Sequence, residues 1–210
     1  MAIAREGWPF IATPFVIGGL LVVLAQPIPA AVLLALGLFT AFFFRDPERA
    51  VPQDPRLLLS PADGRVVQVV PAPDGNPLGP GTTQVSIFLS IFDVHVNRAP
   101  IGGRIAAVAY QAGEFLPAFD DKASQRNEQN TVTIHDGRTR VVFKQIAGIL
   151  ARRIVFRKRV DDRVAPGERV GLIRFGSRVD LFVPTDFAVR TKVGDRVRGG
   201  ATVLGERPGP

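Results

Sequence analysis

The chain has 210 residues with 26 Lys+Arg against 19 Asp+Glu, a net charge of +7, and no Cys. The lack of Cys, with only His95 and His135 as imidazoles, excludes thiol nucleophiles, disulfide frameworks, iron–sulfur centres and zinc clusters. Chemistry must therefore come from hydroxyls, carboxylates, a lone imidazole or a group made from them. The 21 Gly and 18 Pro suit short strands and tight turns, and the length suits one compact domain with an appendage.

From Gly7 to Phe44 the sequence runs for 38 residues without a charge. A stretch so apolar is a membrane signal. Gln26-Pro27-Ile28-Pro29 divides it, because the prolines remove amide donors and clash with the preceding turn. Two helical segments are predicted, Trp8–Ala25 and Ile28–Phe44, which at 1.5 Å per residue reach about 27 and 26 Å, just short of a roughly 30 Å hydrocarbon layer. Arg5 before the first and Arg45 after the second favour a hairpin with both ends in the cytoplasm. A shallow re-entrant anchor, suggested by Pro14, remains the alternative. A cleaved signal peptide fits poorly, since a second apolar block follows where a polar mature start belongs.

Residues 1–44 carry only Arg5 and Glu6, so the whole excess of positive charge lies in the body. The densest cluster, Arg152 to Arg159, suits anionic lipid headgroups. Nucleic acid is not expected, because aromatics and cations are not interleaved in any recognisable binding module; with an apolar anchor attached lipid is the favoured polyanion, and a solvated strand face is the plain alternative.

Beyond Arg45 apolar residues alternate or form short β-branched runs at Arg65–Val70, Gln84–Phe88, Arg104–Tyr110, Thr131–His135, Arg140–Ile146, Arg169–Phe175, Arg178–Val183 and Phe187–Val193. Turn signals separate them at Pro73-Asp74-Gly75, His135-Asp136-Gly137, Pro166-Gly167 and Gly194-Asp195. Thr191 to Gly200 reads as strand, turn, strand, similar to the hairpins of biotinyl- and lipoyl-type domains, although no modifiable Lys is evident at its tip. The predicted fold is mainly β: a compact strand-rich catalytic domain, 46–210, with a lipoyl- or biotinyl-like hairpin element, preceded by a membrane-associating helical hairpin, 1–45.

None of the serines Ser60, Ser86, Ser90, Ser124 and Ser177 lies in Gly-x-Ser-x-Gly, so a nucleophile-elbow hydrolase is excluded at the motif level. Gly176-Ser177 is the only Gly-Ser step. A hydroxyl following a glycine carbonyl can attack it through a five-membered ring, given a base and a backbone that distorts. Taken alone, such a dipeptide is usually a turn. Asp63 in Ala-Asp-Gly is likewise a simple turn residue, His95 a strand residue beside Val94 and Val96, and His135 a hairpin residue.

Six segments together change the reading: Phe43-Phe44-Arg45-Asp46-Pro47-Glu48-Arg49, Ser60-Pro61-Ala62-Asp63-Gly64, Phe92-Asp93-Val94-His95-Val96-Asn97-Arg98, Asn127-Glu128-Gln129-Asn130, Ala151-Arg152-Arg153-Ile154 and Arg174-Phe175-Gly176-Ser177-Arg178. In these, and in their order, the chain resembles the short prokaryotic phosphatidylserine decarboxylase proenzymes, which are pyruvoyl-dependent and cleave themselves. The resemblance implies that Ser177 is converted to an N-terminal pyruvoyl cofactor after cleavage between Gly176 and Ser177, that His95 is the general base, and that Asp63 orients and charges the imidazole.

On that resemblance the cofactor would form a Schiff base with the amine of phosphatidylserine and accept the electrons released with CO₂, giving phosphatidylethanolamine. The large and small chains would stay associated at the cytoplasmic face of the cell membrane, with anionic lipid as partner, no metal, and homo-oligomerisation left open. Two departures from longer members stand out: Phe92 occupies the position of a second His, and Arg178 that of a Thr. They leave the phosphate ligand unassigned, with Arg98, Arg152 and Arg153 as candidates. The competing readings are a membrane-anchored lipoyl-like adaptor without catalysis and a pyruvoyl decarboxylase of a soluble amino acid.

Overall fold

A computed structural model describes residues 2–117, 123–148, 153–174 and 176–208. Ala151, Arg152 and Phe175, named in the motifs above, lie outside the described residues. The chain divides into two compact units, Met1–Glu48 and Arg49–Pro210.

The first unit is an antiparallel helix pair, α1 (Trp8–Val23) and α2 (Pro27–Phe43). Pro27 sits at the start of α2, where its missing N–H costs no hydrogen bond and its fixed φ suits a helix. Ala25 makes the turn with φ of 53°, a left-handed conformation unusual for alanine. The helices approach closely where side chains vanish. A Cβ on Gly37 would stand 2.9 Å from the Phe15 ring, and one on Gly18 3.1 Å from Leu34. Thr40 donates its hydroxyl within α2 to the Gly37 carbonyl and across to that of Phe10. Val16, Leu20, Val23, Ile28, Val32 and Leu38 point outward and are exposed, so α1 and α2 are apolar on faces that pack against nothing in the pair. With its leading turn α1 covers Arg5–Val23, long and apolar enough to cross a membrane, whereas Pro27–Phe43 is shorter.

The second unit is built on an antiparallel sheet in the order Arg163–Val164, Gly103–Gln111, Gln129–His135, Arg140–Ala147, Ser177–Val183, Thr83–Leu89, Gly64–Pro71 and Arg196–Val197. Two small sheets flank it. One joins Ile154–Phe156, Arg169–Ile173 and Val96–Arg98; the other joins Ala188–Val189, Val203–Glu206 and Leu57–Leu59. The alternation read from sequence produces the core: Val179, Leu181 and Val183 face inward beside Ile87, Val85 and Phe143. Every residue of Ser177–Val183 is buried, because ladders on both sides make it a central strand.

One predicted element differs. Thr191 to Gly200 does not fold back on itself. Arg196–Val197 pairs with Gly64–Arg65, while Ala188–Val189 pairs with Gly205–Glu206 in another sheet, and Phe187–Val193 keeps only those two residues as strand. The Asp195 carboxylate explains this. It accepts from the Lys192 N–H and the Thr191 hydroxyl, turning the chain with groups that a hairpin would need elsewhere.

At the His135–Arg140 turn Asp136 accepts from the amides of Arg138 and Thr139 and from the Arg207 guanidinium. Burial pushes the Asp136 carboxyl up, but these donors outweigh it and hold it below the ordinary carboxylate range. Glu168, buried in part but held by Lys158 and the Ala165 amide, is lowered in the same way. A carboxylate with a lowered folded pKa contributes stability above its unfolded pKa and loses it as pH falls through the folded one. Arg207→Met should therefore cost about 1–2 kcal/mol at neutral pH and progressively less in acid, as read by urea unfolding at stepped pH.

Candidate active site

The Ser-Pro-Ala-Asp-Gly segment is stitched into place by backbone bonds: the Ser60 amide donates to the Thr202 carbonyl, Gly200 to Ser60, and Arg98 to Pro61. Ser60, fully buried, turns its hydroxyl onto the Ala62 carbonyl at 2.6 Å. Gly64 is required at the strand entry, with φ of 148° and a would-be Cβ only 2.2 Å from the Phe88 carbonyl oxygen. Asp63 is thereby fixed at the mouth of the strand. Its carboxylate accepts from the Arg49 guanidinium at 2.8 Å and from the Gly199 amide at 2.8 Å. Burial raises the Asp63 pKa despite the lowering effect of the Gly199 amide and Arg49, and nearby Asp93 adds to the rise.

Asp93 organises the next loop. Its carboxylate accepts from the Ser90 amide at 2.9 Å and the Ser90 hydroxyl at 2.7 Å, and pairs with Arg196 at 3.3 Å. Its backbone carbonyl lies 3.0 Å from Nδ1 of His95. On the other side of the ring, the Gly176 amide donates to His95 Nε2 at 3.2 Å. These two bonds fix one tautomer: Nδ1 carries the proton toward Asp93, and Nε2 keeps its lone pair. His95 is buried, and its own carbonyl accepts from the Ile173 amide, tying it to the strand that leads to Gly176.

Gly176 has φ of 67°, in the left-handed region, and a Cβ there would meet nothing within 4 Å. Conformation, not space, asks for glycine at this position. Ser177 follows, fully buried, with a hydroxyl oxygen that has no hydrogen-bond partner among the described residues. A hydroxyl so placed is costly to bury. Ser177, Gly176 and His95 are thus brought together. The bonds found for Asp63 run to Arg49 and Gly199, while the ring nitrogen facing away from Gly176 is held by the Asp93 carbonyl.

Sequence reasoning missed several supporting groups. Asp93 and Arg49 both lay inside recognised segments without a role. On the serine's face of the sheet, Asn97, Gln145 and Asn130, all buried, form a side-chain chain of 2.8 and 2.9 Å bonds. On the opposite face Arg178 is 2% exposed and bonds Asp180 at 2.6 Å, Gln68 at 2.6 Å and Ser86 at 2.8 Å. Ser124 completes Asp180 at 2.7 Å. Of the phosphate candidates, Arg98 is buried with its guanidinium on the Gly167 carbonyl, and Arg153 is exposed.

A cleft of about 490 Å³ opens between Asp63, Asp93, Arg196 and Arg198. A larger cavity, about 710 Å³, lies among Gln53, Pro55, Arg56, Leu57, Ile101–Gly103 and Arg207, and Asp63, His95, Gly176 and Ser177 are not among the residues lining it.

The arrangement defines a class of site: an unpaired hydroxyl adjoining a glycine carbonyl, with a basic nitrogen on the same glycine, equips a protein to attack its own backbone. The chain belongs to the phosphatidylserine decarboxylase family, whose family model matches residues 36–205. It is 48% identical over 184 residues to a phosphatidylserine decarboxylase proenzyme of Solibacter usitatus, covering 88% of this chain and 86% of that one. Against the proenzymes of Geobacter metallireducens and Symbiobacterium thermophilum the identities are 44% and 45%, over 98% of this chain in each case and 97% and 96% of theirs.

Proposed function

We propose that the chain is the precursor of a pyruvoyl-dependent phosphatidylserine decarboxylase that cuts itself between Gly176 and Ser177. The observation that carries the reading is the buried Ser177 hydroxyl, without a partner among the described residues, directly after a left-handed glycine whose amide is held by the basic nitrogen of His95. Names of full-length relatives give the substrate.

In maturation the Gly176 amide releases His95 Nε2, which then takes the hydroxyl proton as Ser177 Oγ attacks the Gly176 carbonyl carbon. The Gly176–Ser177 C–N bond then breaks and the nitrogen is protonated, leaving an ester. Loss of the Ser177 α-proton expels the Gly176 carboxylate, and one water replaces the nitrogen, which departs as ammonia. Asp93 holds the ring through its carbonyl. Asp63, anchored by Arg49 and Gly199, supplies the carboxylate that favours the imidazolium once His95 is charged.

Burial, and the lack of a partner among the described residues, fit position 177 for conversion, since no described hydrogen bond of its hydroxyl must be broken to change it. The pyruvoyl group supplies an electrophilic carbonyl for the substrate amine and a place for the electron pair left when CO₂ departs. Around it His95 moves protons at Nε2, and the strand excludes water. The 34-residue product, 177–210, stays with the rest because its strands pair with Thr83–Leu89, Arg140–Ala147 and Leu57–Leu59. The apolar helices keep the enzyme in the cell membrane, and Arg5 and Arg45 favour its cytoplasmic face.

The test is a decarboxylation assay of the purified full chain on phosphatidylserine beside free serine. Release of CO₂ with formation of phosphatidylethanolamine is expected only from the lipid. Turnover confined to free serine would overturn the substrate, and a chain inert on both would favour the adaptor.

A further inference from the structure

Phe92 and Val193 are large apolar side chains in the open, 63% and 59% exposed, on two loops that lie side by side. The Asp93–Arg196 pair joins the loops. The Gly194 amide donates to the Val66 carbonyl and the Val66 amide to the Asp195 carbonyl, so both loops flank the same end of the strand Gly64–Pro71. Around the two apolar tips stand four exposed cations, Arg65, Lys192, Arg196 and Arg198. Against them are three carboxylates, each already engaged: Asp63 with Arg49 and the Gly199 amide, Asp93 with Ser90 and Arg196, and Asp195 with Thr191 and the Lys192 amide. Arg196 and Arg198 also wall the cleft that Asp63 and Asp93 line.

Apolar tips ringed by cations match an interface in which hydrocarbon lies beneath a layer of negative headgroups. The geometry points to this edge as the face that docks on an anionic phospholipid leaflet, with Phe92 and Val193 entering the acyl boundary and Arg65 and Lys192 on the phosphates. Docked so, the cleft opens against the headgroup layer, and a headgroup reaches it without its acyl chains leaving the bilayer. The inference rests on the lipid reading above and explains why a bulky apolar residue stands at position 92 beside the His95 loop.

The full chain reconstituted in phosphatidylcholine vesicles carrying phosphatidylserine, with and without phosphatidylglycerol, supplies the test, with dihexanoyl phosphatidylserine as dissolved substrate. The double variant Phe92→Ser/Val193→Ser should decarboxylate the bilayer lipid about tenfold more slowly and the dissolved one at the unaltered rate. Arg65→Glu/Lys192→Glu should abolish the stimulation by phosphatidylglycerol and its sensitivity to salt.

In a Trp8→Phe background, which removes the chain's one other indole, Phe92→Trp should fluoresce with strong quenching by phosphatidylcholine brominated on its acyl chains. An unquenched indole, or equal losses on both substrates, would overturn the docking face. Failure of the unaltered enzyme on phosphatidylserine in both the bilayer and the dissolved form would instead strike at the substrate assignment.

Discussion

Ser177→Ala should leave the chain whole from Met1 to Pro210 however long it is kept, because the hydroxyl that attacks the Gly176 carbonyl has been removed. His95→Ala should slow cleavage by about 10²–10⁴, the usual worth of a placed general base, and need not abolish it. Denaturing electrophoresis over time reads both. The geometry gives the two variants different characters. Ser177 supplies the atom that forms the new bond, and alanine fills its space with no polar group left buried. His95 supplies only the acceptance of a proton, but its loss also frees the Gly176 amide. His135→Ala should process normally, since His135 closes the Gln129–His135 strand and takes no part at position 177. Cleavage of His95→Ala at the unaltered rate would remove His95 from maturation.

Arg178→Met should cost about 3–5 kcal/mol of stability, because it leaves Asp180 charged and buried without its guanidinium. The loss arises from what remains. Asp180 keeps the Ser124 hydroxyl, and Lys144 lies close enough that Asp180 favours its charge, although burial pushes the Lys144 pKa below the usual lysine range. Gln68 and Ser86 lose a donor as well. Arg178→Met/Asp180→Leu should recover most of the stability, since replacing both members of a buried pair by apolar groups of similar size is often neutral. Urea unfolding of an uncleavable Ser177→Ala background measures this without interference from processing. If the single and double variants are equally unstable, the pair is not what holds this face.

Much of the body was legible because a central antiparallel sheet writes itself as alternation. Val179, Leu181 and Val183 reach the core, and their partners Ile87 and Val85 were on the same pattern. The helix pair was legible from the uncharged run and its prolines. Failure came at Thr191 to Gly200, where a correct turn joins segments that pair elsewhere. Turn chemistry is local, whereas strand partnership depends on the rest of the sheet.

The site was half legible for a related reason. Gly176, Ser177, His95 and Asp63 are residue types with recognisable chemistry, but the group on His95 Nδ1 is the Asp93 backbone carbonyl, and every residue has one. Arg178 stood out in sequence only as the start of a predicted strand and as a departure from a Thr. Only Asp180, two residues on and therefore on the same face, hinted that the charge is matched inside the protein.

Intact mass of the purified, unaltered protein tests the central claim most directly. Two chains are predicted, and the smaller should begin at position 177, weigh one ammonia less than the fragment 177–210 with an ordinary serine start, and react with carbonyl reagents. A single chain with the mass of all 210 residues, or a small fragment with a free amino terminus, would contradict it.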